Sequence, residues 1–72
     1  MKKNEDLITI GEAIRIERLR RHLSQEQFAE IANMTNFQHL GRIEKGDIDM
    51  RTSTLLKILR ALNLKLEDLI KI

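Results

Sequence analysis

Gln38, His39, Arg42 and Lys45 recur at spacings of three and four residues, the period of one side of an α-helix. Each carries hydrogen-bonding groups suited to the edge of a base pair. A Gln amide bonds adenine in bidentate fashion, an Arg fork does the same with guanine O6 and N7, and a His ring donates or accepts. A good bidentate pair discriminates against the wrong base by about 1–3 kcal/mol. Solvated helices show polar residues at the same spacings, so the stripe gains meaning only from what holds it. Other chemistries find less support. No glycine-rich phosphate loop occurs, and Ser24 and Ser53 fall where helix starts are expected. Carboxylates are scattered without acid–base spacing, so no enzyme is expected. Two distant histidines, His22 and His39, in a chain without cysteine predict neither a metal nor a cofactor site.

The stripe needs a helix, and the helix needs neighbours. Thr9-x-x-Glu12, Ser24-x-x-Gln27 and Thr35-x-x-Gln38 all have capping-box spacing, in which two side chains satisfy orphan backbone N–H groups reciprocally. Asn33, Gly46 and Asn63 stand where apolar-periodic stretches end, and Gly or Asn best tolerates the left-handed backbone there. Five helices are therefore predicted: Ile10–His22, Gln25–Ala32, Asn36–Lys45, Ser53–Leu62 and Leu66–Lys71. Their inward faces read Ile10, Ala13 and Ile14, with a second strip of Ile16, Leu19 and Leu23; then Phe28, Ile31 and Ala32; then Phe37, Leu40 and Ile43, where Phe37 is expected as a core anchor. Leu55, Leu59 and Leu62 follow, with Leu56 and Ile58 broadening that face, and Leu66, Leu69 and Ile70 close the bundle. No stretch alternates with period two for long enough to argue for a strand. Asn33-Met34-Thr35 is all that joins the second and third helices. So short a turn between two brief amphipathic helices is the unit that lets a second helix enter the major groove.

Composition sets the bounds. The 72 residues make a single domain near the lower limit for unaided folding, and no disulfide can staple it. Residues 1–8 are expected to be a flexible tail and 9–72 the domain. No apolar run is long enough for a bilayer, and no secretory signal is evident, so a cytoplasmic location is expected. A net charge of +2 permits a nucleic-acid partner without demanding one, which shifts attention to where the charge lies. Arg15, Arg18, Arg20 and Arg21 against Glu17 make the stretch from Ala13 to Gln25 the most basic. Arg20 and Arg21 suit either phosphate contact or a solvated face.

From Ile10 to Leu69 the chain resembles the Cro/repressor-type helix-turn-helix regulators, the xenobiotic-response-element-like family. The matching stretches are Ile14-Arg15-x-x-Arg18, Leu23-Ser24-Gln25-Glu26-Gln27-Phe28-Ala29, Arg42-Ile43-Glu44-Lys45-Gly46, Thr54-Leu55-Leu56-Lys57-Ile58 and Ala61-Leu62. The resemblance implies an all-α, compact five-helix bundle of the phage-repressor DNA-binding type. It also implies a sequence-specific regulator of double-stranded DNA. Gln25 then contacts phosphate and braces the recognition helix, at a helix start whose free N–H groups attract anions. Arg18 and Glu44 match a family ion pair, and pairing matters because either charge buried alone is costly. Ser24, Thr35, Lys45, Arg51 and Thr52 fall where the family meets the phosphate backbone. Base reading falls to Asn36, Gln38, His39 and Arg42. The register of the helix start stays open: counted from Gln25 the first base-reading positions are Asn36 and Phe37, and counted back from Glu44 they are Phe37 and Gln38. Asp47 and Asp49 bring acid close to the expected backbone path and should weaken nonspecific binding.

One recognition helix reads few base pairs, so a homodimer on a near-palindromic operator is expected, with half-sites roughly 34–36 Å apart. Leu64, Leu66, Leu69, Ile70 and Ile72 crowd the C-terminal end and are the expected dimer surface. Two alternatives stand beside this reading. One is the antitoxin of a toxin–antitoxin pair, which adds a toxin as protein partner. The other is a helical protein-interaction module that keeps the fold without DNA binding.

Overall fold

A computed structural model describes residues 4–70. Its elements are α1 (Glu5–Arg20), α2 (Gln25–Ile31), α3 (Phe37–Glu44), α4 (Thr52–Leu62) and α5 (Leu66–Leu69), with no strand among the described residues. The expected position of Lys71 in the last helix and of Ile72 in a dimer surface lie outside those residues.

α1 starts at Glu5, five residues before the predicted start, and Thr9 lies inside it. The cap is Asn4, whose Oδ1 accepts from the backbone N of Asp6 at 2.8 Å and of Leu7 at 3.3 Å. Glu5 and Asp6 occupy the positive end of the helix dipole. Once started there, nothing between Asn4 and Thr9 breaks the helix, so residues 5–8 are its first turns rather than part of a tail.

The inward face of α1 is Gly11, Ile14 and Arg18, at the helical spacing of three and four. Ile16 and Leu19, the expected second apolar strip, are 41% and 45% exposed. Gly11 is inward because α1 crosses the end of α3 at close range. A Cβ there would stand 2.3 Å from the carbonyl oxygen of Ile43 and 2.8 Å from that of Glu44. Only glycine permits the crossing.

Four of the five helices end the same way. The backbone N–H groups of Leu23, Met34, Asp47 and Leu64 each reach back five residues, to the carbonyls of Arg18, Ala29, Arg42 and Leu59. The residues before them, His22, Asn33, Gly46 and Asn63, have φ of 57°, 57°, 73° and 57°. This is the Schellman motif, with a left-handed residue just past each helix. It terminates each helix within two residues and fixes the angle at which the next one leaves.

The core comprises Ile14, Phe28, Leu40, Ile43, Ile58 and Leu62, all fully buried, with Ala29, Ala32, Leu59 and Leu69 around them. Leu64, Leu66 and Ile70 are half-buried against it. Phe37 departs from its expected place as a core anchor: it is 37% exposed, whereas Phe28 is sealed. No described helix is long and apolar enough to cross a membrane.

Candidate nucleic-acid interface

The position of α3 follows from a buried polar cluster. Arg18 donates from Nε to Glu44 Oε2 at 2.7 Å and from Nη2 to Oε1 at 3.1 Å. Its Nη1 donates to the carbonyl of Leu23 at 2.7 Å, and Gln25 Nε2 donates to Glu44 Oε1 at 3.1 Å. Both charged side chains are nearly sealed from water, at 9% and 2% exposure, so the bidentate geometry and the added bonds are what make their burial tolerable. Among the described residues no buried side-chain nitrogen or oxygen lacks a partner. One cluster thus ties α1, the start of α2 and the end of α3 together, and orients the helix that carries the polar stripe.

The two ends of the connecting turn are equally determined. Ser24 caps α2 through a complete capping box: its Oγ accepts from Gln27 N at 3.0 Å and its own N–H donates to Gln27 Oε1 at 2.9 Å. α3 is capped by Asn36, whose Oδ1 accepts from His39 N at 2.7 Å, and not by Thr35. Asn36 was expected to read a base. Its carbonyl oxygen is committed to the helix start instead, and α3 proper begins at Phe37.

Leu40, Ile43 and Glu44 form the buried side of α3. At about 100° per residue, the opposite side is Gln38, Arg42 and Lys45. All three are exposed, and no part of the described chain covers them. The side chains of Gln38 and Arg42 make no hydrogen bond or ion pair among the described residues. His39 stands off this axis. It is half-buried and lines an open cleft of about 420 Å³ with Thr35, Asp49, Arg51, Thr54 and Lys57. The cleft brings Thr35, Asn36, His39 and Arg51 to one place beside the start of α4, at whose first turn Thr52 is exposed. Thr54 and Lys57 were not singled out from sequence. Lys57 lies on the exposed side of α4, but Thr54 shares a stripe with the buried Ile58 and Leu62, so helical spacing alone does not mark the pair.

The basic segment of α1 is not part of this surface. Arg15 pairs with Glu12 at 3.3 Å and Arg20 with Glu17 at 3.2 Å. Arg21 binds Glu17 at 2.9 Å and also donates to the Leu62 carbonyl at 2.8 Å, where it caps the end of α4. The most cationic stretch of the sequence is therefore largely ion-paired within its own helix, with Arg18 and Arg21 also tying it to its neighbours. At the other end of the molecule, the C-terminal leucines are mostly used internally. Leu69 is only 9% exposed, which removes it from the expected dimer surface. Leu64 and Leu66 instead share a shallow apolar cleft of about 500 Å³ with Leu56 and Leu59, edged by Arg60, Lys65 and Asp68. Leu56 is 43% exposed and was not foreseen there. No group of His, Asp or Glu among the described residues is placed to hold a metal ion.

Comparison with known proteins fits this arrangement. A helix-turn-helix family model matches residues 14–69. No curated protein sequence matches the chain. Among solved structures, the restriction-modification controller protein C.AhdI from Aeromonas hydrophila superposes with a TM-score of 0.86 at 27% identity, covering 93% of this chain and 100% of that one. The clp gene regulator ClgR from C. glutamicum superposes with a TM-score of 0.84 at 19% identity, covering 94% and 86%, a likeness of fold. With the match spanning every element from mid-α1 to α5 and the polar cluster holding α3 outward, the chain belongs to the helix-turn-helix family of DNA-binding regulators of the Cro/repressor type.

Proposed function

We propose that this protein is a non-catalytic transcriptional regulator that binds a near-palindromic operator as a homodimer, in the cytoplasm where that DNA lies. The observation that carries the reading is the uncovered side of α3. Gln38 and Arg42 project away from the core with no partner in the described chain, on a helix held from behind by Arg18, Glu44 and Gln25. Their chemistry matches adenine and guanine edges in the major groove. Lys45, Arg51, Thr35 and Thr52 flank them as phosphate contacts, joined by Lys57 and Thr54 across the cleft. Ser24 and Gln25 stand at the start of α2, where free N–H groups meet a phosphate on the other side of the groove.

The homodimer is supported by the apolar cleft of Leu56, Leu64 and Leu66 with both signs of charge at its rim, a composition that suits a self-complementary interface. The likeness to a restriction-modification controller whose whole chain is covered favours a regulator of this size. Selection of bound oligonucleotides from a random pool tests the reading. Enrichment of an inverted repeat with half-sites about one helical turn apart is the expected result. Enrichment of nothing would sink DNA binding. A single unrepeated site, bound by a species that sediments as a monomer at tens of micromolar, would sink the dimer alone.

A further inference from the structure

The side of α1 turned from the core carries more apolar surface than a solvated helix needs. Ile8, Ile16 and Leu19 are 40%, 41% and 45% exposed, half of the large apolar side chains left open among the described residues. Ile8, Glu12, Arg15 and Leu19 follow one another at intervals of four, three and four residues, which sets them in one line along the helix. That is the spacing of the seam along which two helices coil together. Ile16 flanks the line. Glu12 and Arg15, at its middle, pair at 3.3 Å with side chains 54% and 48% exposed.

The order of these residues makes the line complementary to itself in one orientation. A second copy laid antiparallel, about a two-fold axis midway between Ala13 and Ile14, puts Ile8 on Leu19 of the copy and Glu12 on Arg15 of the copy. The two-fold then repeats both contacts. Laid parallel, Glu12 faces Glu12 and Arg15 faces Arg15, which repel. A purely basic or purely acidic partner leaves one central charge unanswered. Another α1 answers acid with base and apolar with apolar. We infer that α1 is a self-association surface on which a second copy of this chain packs antiparallel. It lies on a different helix from the cleft of Leu56, Leu64 and Leu66 and needs no DNA, so it stands apart from the reading above.

Sedimentation equilibrium without DNA tests it, at up to about 1 mM chain because three helical turns make a small interface. Leu56→Glu puts a charge into the other cleft, so the association that remains belongs to α1, and a monomer–dimer equilibrium is expected. In that background Glu12→Arg sets four cations along the shared seam. It should raise the dissociation constant by about tenfold, as should Arg15→Glu with four anions. Mixed one to one, these two variants should pair again, because each charge meets its opposite. Glu12→Arg and Arg15→Glu combined in one chain should pair like the parent. The chain has no cysteine, so Ile8→Cys and Leu19→Cys report the orientation. Oxidation should link the two variants to each other and neither to itself, since antiparallel packing holds the two copies of residue 8 about 16 Å apart. This cross-link needs no charge variant, so it decides even where those fail to fold. A Leu56→Glu chain that stays monomeric at the highest concentration overturns the inference. So does association indifferent to Glu12→Arg, or Ile8→Cys chains linked to one another. Association unchanged by Leu56→Glu would instead sink the cleft as dimer surface and leave α1 standing.

Discussion

Glu44 closes α3 while accepting hydrogen bonds from Arg18 on α1 and Gln25 on α2. Removing it leaves a buried guanidinium without its counter-charge, a change that costs about 3–5 kcal/mol. Domains of this kind hold about 5–15 kcal/mol in total, so Glu44→Ala should lose a large share of the stability and lower the melting temperature by about 12–40 °C in a thermal melt. A melt within a few degrees of the parent would mean the cluster is not what holds α3. Gln25 and Arg42 separate stability from recognition. Gln25→Ala loses one hydrogen bond to a charged group, about 1.5–3 kcal/mol, and should lower affinity for all DNA sequences by a similar factor. Arg42→Ala and Gln38→Ala, both exposed, should leave stability within about 0.5 kcal/mol. They should flatten preference at single base positions by about 1–3 kcal/mol, read by competition with operators altered one base pair at a time.

The elements show which sequence signals were decisive. Of the three capping boxes read from spacing, Ser24–Gln27 forms with both bonds. Thr9 and Thr35 do not cap, because Asn4 and Asn36 stand nearby with side chains at least as good at accepting from the first turn. Helix stops were easier to read, since a left-handed residue is needed at each and Asn33, Gly46 and Asn63 supply it. The inward face of α1 was legible in part from apolar periodicity: Ile14 is sealed and Ile10 and Ala13 pack against the core, while Ile16 and Leu19 are exposed. Gly11 and Arg18 are inward for reasons that lie in α3: two carbonyls too close for a Cβ, and a carboxylate that needs a partner. Apolar character alone places Phe37 in the core, whereas its position at the start of α3 leaves it 37% exposed. The candidate site was legible in its residue types, while Asn36, His39, Thr54 and Lys57 needed the packing of α3 against the turn before α4. His22 is the one Schellman residue that is neither Asn nor Gly, and it sits at φ 57°. A left-handed backbone costs an ordinary L-residue about 1–2 kcal/mol. His22→Gly should recover about 1 kcal/mol, raising the melting temperature by about 4–8 °C in a domain of this size. A drop in melting temperature would show that the imidazole contributes more than its backbone strain costs.

Charge placement belongs to the whole molecule. Arg15, Arg20 and Arg21 are answered by Glu12 and Glu17 on their own helix, so the net charge of +2 is not spread evenly. Arg42, Lys45, Arg51 and Lys57 gather at α3 and the cleft beside it, with Asp47 and Asp49 as opposing charges. Counterion release turns that placement into a measurable slope. Each phosphate neutralised by a cation contributes about −0.9 to the dependence of log K on log salt. Arg51→Ala should therefore make the slope shallower by about one, measured by operator titrations from 50 to 200 mM salt. Arg20→Ala removes an equal charge from α1 and should leave the slope unchanged, because Glu17 already answers that charge and α1 stands outside the proposed interface. Asp49→Asn should strengthen binding to every sequence alike, most at low salt, where repulsion between its carboxylate and the backbone is least screened. If Arg20→Ala changes the slope as much as Arg51→Ala does, the DNA runs over α1 and the outward side of α3 is not the surface it meets.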